Sequence, residues 1–251
     1  MANGCIAIDR ILSRLDEYLN KNDYVSAEKH LVYWLGEAIG GCDPKTELLI
    51  YNELMGLYRK LGQKEKALSA VSSALAKIEA LGIESQVGSA TTFLNSATVY
   101  KAFGDPNSSL PLFLKAKTIY EAELSQADER LGGLYNNMAL TLVDLERYTE
   151  AYELYEKAIS IMSKSENGAL EVAITHLNVA SAKEAELGMI DAENAITELL
   201  DKAKTILDAA KKRDGYYAFV CEKCASVFGY YGYFLYENDL KERARRIYEG
   251  A

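Results

Sequence analysis

Prolines and histidines are scarce in this chain: three prolines, two histidines and one tryptophan in 251 residues. With so few prolines, long helices can run without interruption. Two of the three, Pro44 and Pro106, follow Asp43 and Asp105, as expected where a helix opens. Strand signals are nearly absent. No run of eighteen or more apolar residues occurs, so no membrane span is expected. The start, MANGCIAIDR, has neither a charged leader nor a long apolar run; the expectation is a cytoplasmic protein without an export signal. The phosphate-cradling GxxxxGK, GxGxxG, HExxH and GxSxG are all missing, so an enzyme is not expected and no cofactor is implied.

Positive charge is also in deficit. The net charge of −9 argues against a nucleic-acid partner, because phosphate binding needs a clustered basic footprint. The short run Lys211, Lys212, Arg213 reads as a helix end, where cations suit the dipole. Of four cysteines, Cys221 and Cys224 form a CxxC. Zinc would need two further ligands, and only Cys5, Cys42, His30 and His176 remain, none in a paired spacing. The pair falls within a helical pattern, so two reduced, packed thiols are expected. His176 reads as a packing histidine with a satisfied nitrogen and His30 as a surface residue.

What the chain has is repetition. In the stretch from Tyr135 to Ile161, Leu131, Tyr135, Met138, Leu142 and Leu145 fall at steps of four and three, which places them on one helical face. Ala151, Tyr155, Ala158 and Met162 continue the steps beyond a polar turn at Glu146 and Arg147. One hairpin cannot bury these stripes alone. Paired markers twelve residues apart recur six times: Leu15 with Ala27, Met55 with Ala67, Ala97 with Ser109, Ala139 with Ala151, Ala180 with Ala192, and Gly232 with Ala244. The second markers, at 27, 67, 109, 151, 192 and 244, are 40, 42, 42, 41 and 52 residues apart, a helical-array period near 42.

Around the markers the residues resemble the tetratricopeptide repeat: a large aromatic, then Leu-Gly, Tyr, Ala and Phe at fixed steps. Tyr51, Leu54, Met55, Tyr58, Ala67 and Val71 form one copy, and Phe93, Ser96, Ala97, Tyr100, Ser109 and Phe113 the next. Tyr135, Met138, Ala139, Leu142, Ala151 and Tyr155 form the fourth, and Phe228, Tyr231, Gly232, Leu235, Ala244 and Tyr248 the last. The first and fifth are degenerate. The long period and the paired Asn136 and Asn137 are similar to the kinesin-light-chain-like subgroup. This resemblance implies an all-α fold, a right-handed superhelical solenoid of about six helix-turn-helix repeats in one domain over 1–251, with repeats near 6–42, 43–83, 84–127, 128–166, 167–213 and 214–251.

The resemblance also implies that the first helices line a concave groove where a protein or peptide partner binds without catalysis. Asn95, Asn137 and Asn178 stand two residues before their markers, and Asn52 and Asn136 three before theirs. Asparagine is a poor interior helix residue, so its return at one register needs a reason. Two are open: the amides grip a bound backbone, or they bond the adjacent helix and fix the stacking. Four residues past the markers come Arg59, Lys101, Val143, Glu184 and Tyr236, giving a groove basic early and acidic late. The lysine-bearing carboxylate clamp of chaperone-binding repeats is not assembled.

Six aromatics between Phe228 and Tyr236 exceed what one face can bury, so Tyr230 and Tyr233 are candidates for the groove or for a homodimer contact. The last helix, ending at Ala251 after about ten residues, is expected to give little cover, and Lys211 to Gly215 to mark a hinge. A receptor for a short signalling peptide and a dimeric scaffold are the alternative functions.

Overall fold

The computed structural model describes residues 7–165 and 168–250; Cys5, Ile6 and Ala251 lie outside the described residues. Among the described residues twelve helices form six hairpins: α1 (Ile8–Asn20), α2 (Tyr24–Gly40), α3 (Pro44–Lys60), α4 (Lys64–Leu81), α5 (Val87–Ala102), α6 (Pro106–Glu123), α7 (Glu129–Asp144), α8 (Tyr148–Met162), α9 (Ala169–Leu187), α10 (Met189–Ala209), α11 (Gly215–Tyr230) and α12 (Phe234–Glu249). Among the described residues there is no strand, and no helix is long and apolar enough to cross a membrane. The chain is an all-α, tetratricopeptide-like array.

Local chemistry sets the helix boundaries. Pro44 opens α3 behind Asp43, whose carboxylate accepts from Thr46 N at 3.1 Å, and Pro106 opens α6 behind Asp105, which accepts from Ser108 N at 3.0 Å. Hairpin turns are tight and left-handed: Gly62, Gly104 and Gly232 have φ of +67°, +78° and +84°, while Glu146 adopts φ +59° in the turn between α7 and α8.

The helices fall into two compact units, Met1–Glu123 and Leu124–Ala251. In the first, α3 packs against α2, α4 and α5, and the core gathers Leu15, Ala27, Leu31, Met55, Ala67 and Val71. In the second, α9 packs against α7, α8, α10 and α11, and the core runs from Ala180 and Ala192 through Leu207 to Cys221, Ala225 and Phe228. The small markers work as spacers: Ala97, Ala139, Ala151, Ala180 and Ala192 are fully buried, where a larger side chain would cost about 1–3 kcal/mol.

The last hairpin corrects the sequence reading. Gly232 is no helical marker; it is the left-handed turn after α11. The residue seven before it, Ala225, is fully buried in α11, as Ala97 is seven before Gly104. Twelve on stands Glu237, whose N–H donates to Tyr233 O as Ala67 N does to Gln63 O and Ala151 N to Arg147 O. Glu237 can replace the small residue because its carboxylate lies against Gly229, where a Cβ would come within 2.2 Å of it. The last copy therefore shifts by seven residues, and its second marker, 237 against 192, falls 45 residues on. At four past the marker stands Gly229, while Tyr236 belongs to α12 and is nearly buried, its hydroxyl donating to Asp208 at 2.9 Å.

One further expectation changes with it, and another, that the basic run marks a helix end, holds. The final helix α12 has 16 residues, as long as α11, and covers that hairpin with Tyr236, Leu240 and Ala244. The basic run follows the end of α10, and Arg213 donates to the carbonyls of Asp208 and Ala210.

Candidate functional site

The asparagines meet in pairs between first helices. Asn95 Nδ2 on α5 donates to Asn52 Oδ1 on α3 at 2.9 Å, and Asn52 Nδ2 donates to Thr92 Oγ1 at 3.0 Å and to Leu48 O at 2.8 Å. The arrangement recurs in the second unit. Asn178 Nδ2 on α9 donates to Asn136 Oδ1 on α7 at 3.0 Å, and Thr175 Oγ1 donates to the same oxygen at 3.2 Å. Each joint thus uses an Asn three before one marker and a Thr-x-x-Asn, five and two before the next. The threonine went unnoticed in the sequence, although Thr92 and Thr175 stand at the same register. Asn137 makes no such joint; its Nδ2 turns back to Gly133 O at 2.9 Å within α7.

Beside the first joint lies a cavity of about 680 Å³, bounded by the amino-terminal half of α3, the end of α4 and the start of α5. Leu48, Leu49, Leu81 and Ile83 give it an aliphatic lining; Asn52, Asn95 and Thr92 supply polar groups, and Lys45 and Glu53 bring opposite charges. Burial, and then nearby Asp16, push the Glu53 carboxyl above its ordinary range.

The remaining expected site residues do not converge there. Arg59 and Lys101 sit near the carboxy-terminal ends of α3 and α5, Arg59 exposed and Lys101 half-buried. From Asn52 to Arg59 is two helical turns, about 10 Å along α3. Glu184 is engaged: Tyr230 donates to it at 2.6 Å and Tyr231 at 2.8 Å. Tyr230 stays largely exposed, but Tyr233, half-buried, packs edge-on against Phe228 and borders α10.

The titratable outliers read as packing. Cys221 and Cys224 are buried in α11, and burial pushes the Cys224 thiol up to about 12, far from a reactive thiolate. The His176 Nδ1 atom is buried without a hydrogen-bond partner, against the expectation of a satisfied nitrogen. His30 is not a plain surface residue: its Nε2 lies 3.0 Å from Ile11 O, and its ring sits edge-on between Tyr18 and Trp34. Among the described residues no group of three potential metal ligands comes together.

A stack of buried small-residue helical hairpins with a period near 42 defines a tetratricopeptide-type array. Residues 132–165, the α7–α8 hairpin, match the tetratricopeptide repeat family. The chain is similar to Protein KINESIN LIGHT CHAIN-RELATED 2 of Arabidopsis thaliana, 23% identical over 168 residues, which is 64% of this chain and 24% of that protein. The matched region is thus about a quarter of that relative's length. Among solved structures, BtubC (BKLC) from P. vanneervenii superposes with a TM-score of 0.67 at 21% identity, over 80% of each chain. The nearly identical TPR-like repeats of a Podosopora anserina kinesin light chain superpose with a TM-score of 0.55 at 18% identity, over 81% of this chain and 95% of theirs. One hairpin thus matches a tetratricopeptide repeat, and the fold is similar to that of long-period, kinesin-light-chain-like arrays.

Proposed function

We propose that this chain is a non-catalytic adaptor that takes an extended segment of a partner protein along the first helices α3 and α5. The observation that carries the reading is the cavity beside the Asn52–Asn95 joint, aliphatic on its walls and amide-bearing along one side. The joint consumes one N–H of Asn95 and leaves its Oδ1 and second N–H unused. An extended peptide offers a complementary N–H and C=O at each residue. Each bond so formed would contribute about 0.5–1.5 kcal/mol net. One aliphatic side chain of the peptide buried among Leu48, Leu49 and Ile83 would add about 1.5–3 kcal/mol. Together these suit a micromolar complex, about −8 kcal/mol. Arg59 and Lys101, two turns further along, would meet acidic residues downstream in the same peptide.

Selection of a displayed random-peptide library on the full chain tests this, with isothermal titration of the selected peptides against wild type and Leu49→Asp. Peptides with an aliphatic anchor that bind wild type and fail on a folded Leu49→Asp are expected. Peptides indifferent to that substitution would place binding elsewhere. Truncating the selected peptide separates an adaptor from a receptor for short signalling peptides, since the adaptor loses affinity as residues that reach Arg59 and Lys101 are removed.

A further inference from the structure

The six second helices begin with different residue pairs: Tyr24-Val25, Lys64-Glu65, Pro106-Asn107, Tyr148-Thr149, Met189-Ile190 and Phe234-Leu235. The last two pairs are wholly apolar and exposed. Ile190 is 87% and Leu235 89% accessible, and Met189 and Phe234 are also exposed. Neither helix has the aspartate cap found at α2 and α3; the residues at the cap positions, Gly188 and Tyr233, give no side-chain bond. The second helices α4 and α8 are equally uncapped; what sets these two neighbouring turns apart is the exposure of large apolar side chains, which nothing inside the unit rewards.

These turns lie side by side. Tyr230 and Tyr231 at the end of α11 both donate to Glu184 near the end of α9, and a hollow of about 410 Å³ is lined by Met189, Ile190 and Ile196 from one hairpin and Tyr231 and Tyr233 from the next. Around it the charge is one-sided. Across 183–193 and 230–241, six acids, Glu184, Glu186, Asp191, Glu193, Glu237 and Asp239, stand against Lys183 and Lys241, which pair with Glu186 and Glu237, and against Arg243 just beyond, which pairs with Asp239. Asp191 and Glu193 are exposed and have no ion-pair partner among the described residues.

We propose that the paired α9–α10 and α11–α12 turns form a second docking surface, for a basic segment with an apolar face in a partner protein. The apolar residues supply the contact area and the acidic surround selects a cationic ligand. A second copy of this chain suits the surface poorly, because it would bring the same acids against each other.

The test uses the full chain and two labelled helical peptides, one of leucine and lysine and one with glutamate in place of each lysine, read by fluorescence anisotropy at physiological salt. The lysine peptide should bind at least about tenfold more tightly than the glutamate one. Ile190→Ser with Leu235→Ser, which leaves the charge unchanged at exposed positions, should weaken it at least about tenfold, and Asp191→Asn with Glu193→Gln several-fold. Val32→Ser with Ile39→Ser, exposed on α2, should change nothing. No binding of the lysine peptide, or binding that survives the Ile190 and Leu235 pair, would overturn the proposal. So would a wild-type dimer by light scattering that the same pair makes monomeric, since the surface would then belong to a second copy.

Discussion

Between α7 and α9 the first helices are fastened at mid-length by an amide accepting from an amide and a hydroxyl, Asn136 with Asn178 and Thr175. Between α9 and α11 the corresponding positions hold Leu177, Val220 and Lys223, with Leu177 and Val220 buried, and the polar contacts move to the two ends. There Tyr216 donates to Glu171, and Tyr230 and Tyr231 donate to Glu184. Hydrogen bonds demand a fixed geometry, whereas apolar contact tolerates sliding. The two amide joints accordingly span marker spacings of 42 (55 to 97) and 41 (139 to 180), and the apolar joint a spacing of 45 (180 to 225).

Removing packing from the last hairpin, beside the apolar joint, should be the most damaging change. Phe228 is fully buried and meets Tyr233 and Tyr236 edge-on. Phe228→Ala should cost about 3–5 kcal/mol in urea unfolding. Placing an amide where the joint is apolar comes next: Leu177→Asn should cost about 2–4 kcal/mol, since no partner awaits it. Adding Val220→Thr and Lys223→Asn would sharpen the contrast by returning part of that loss if register alone separates the two joint types.

Within the amide joint itself, neighbouring asparagines should behave differently. Asn136→Ala strands the Asn178 amide, while Thr175 keeps its bond to Glu171 O at 2.8 Å, and should cost about 1–3 kcal/mol. Asn137→Ala removes only a bond within its own helix and gains helix propensity, so it should stay within about 0.5 kcal/mol of wild type. Equal costs would mean that the joint carries no special weight.

The smallest effect is one of pH. Burial, and then Lys202, lower the pKa of His176 below its ordinary 6.5 in the folded chain. Between that lowered value and 6.5 the unfolded chain binds a proton that the folded chain does not, so stability present above pH 6.5 is lost as pH falls. Glu53, raised by burial, acts in the opposite sense in the acid range, so the informative quantity is the difference between wild type and His176→Leu. The urea midpoint of wild type should drop more between pH 7.5 and 5.5 than that of the variant.

Six hairpins could be read from the sequence because buried small residues recur with the helical steps around them. The register of the last could not, because Gly232 imitates a packing marker by composition while doing a turn's work. A second periodic signal was available: glycines at 62, 104 and 232 stand seven residues past 55, 97 and 225, and Gly188 eight past 180. The asparagines stood out as a recurring cost, but their partners did not, since a bond between residues 42 or 43 apart depends on how two helices stack. The cavity beside Asn52 was not legible for the same reason: Leu81 at the end of α4 and Ile83 in the turn after it reach it.

A double-mutant cycle on Asn52 and Asn95 tests most directly whether the recurring amides join one repeat to the next. Unfolding of wild type, Asn52→Ala, Asn95→Ala and the double variant should reveal a favourable coupling of about 0.5–1.5 kcal/mol, so that the double variant loses less than the sum of the single ones. Strict additivity would contradict the joint.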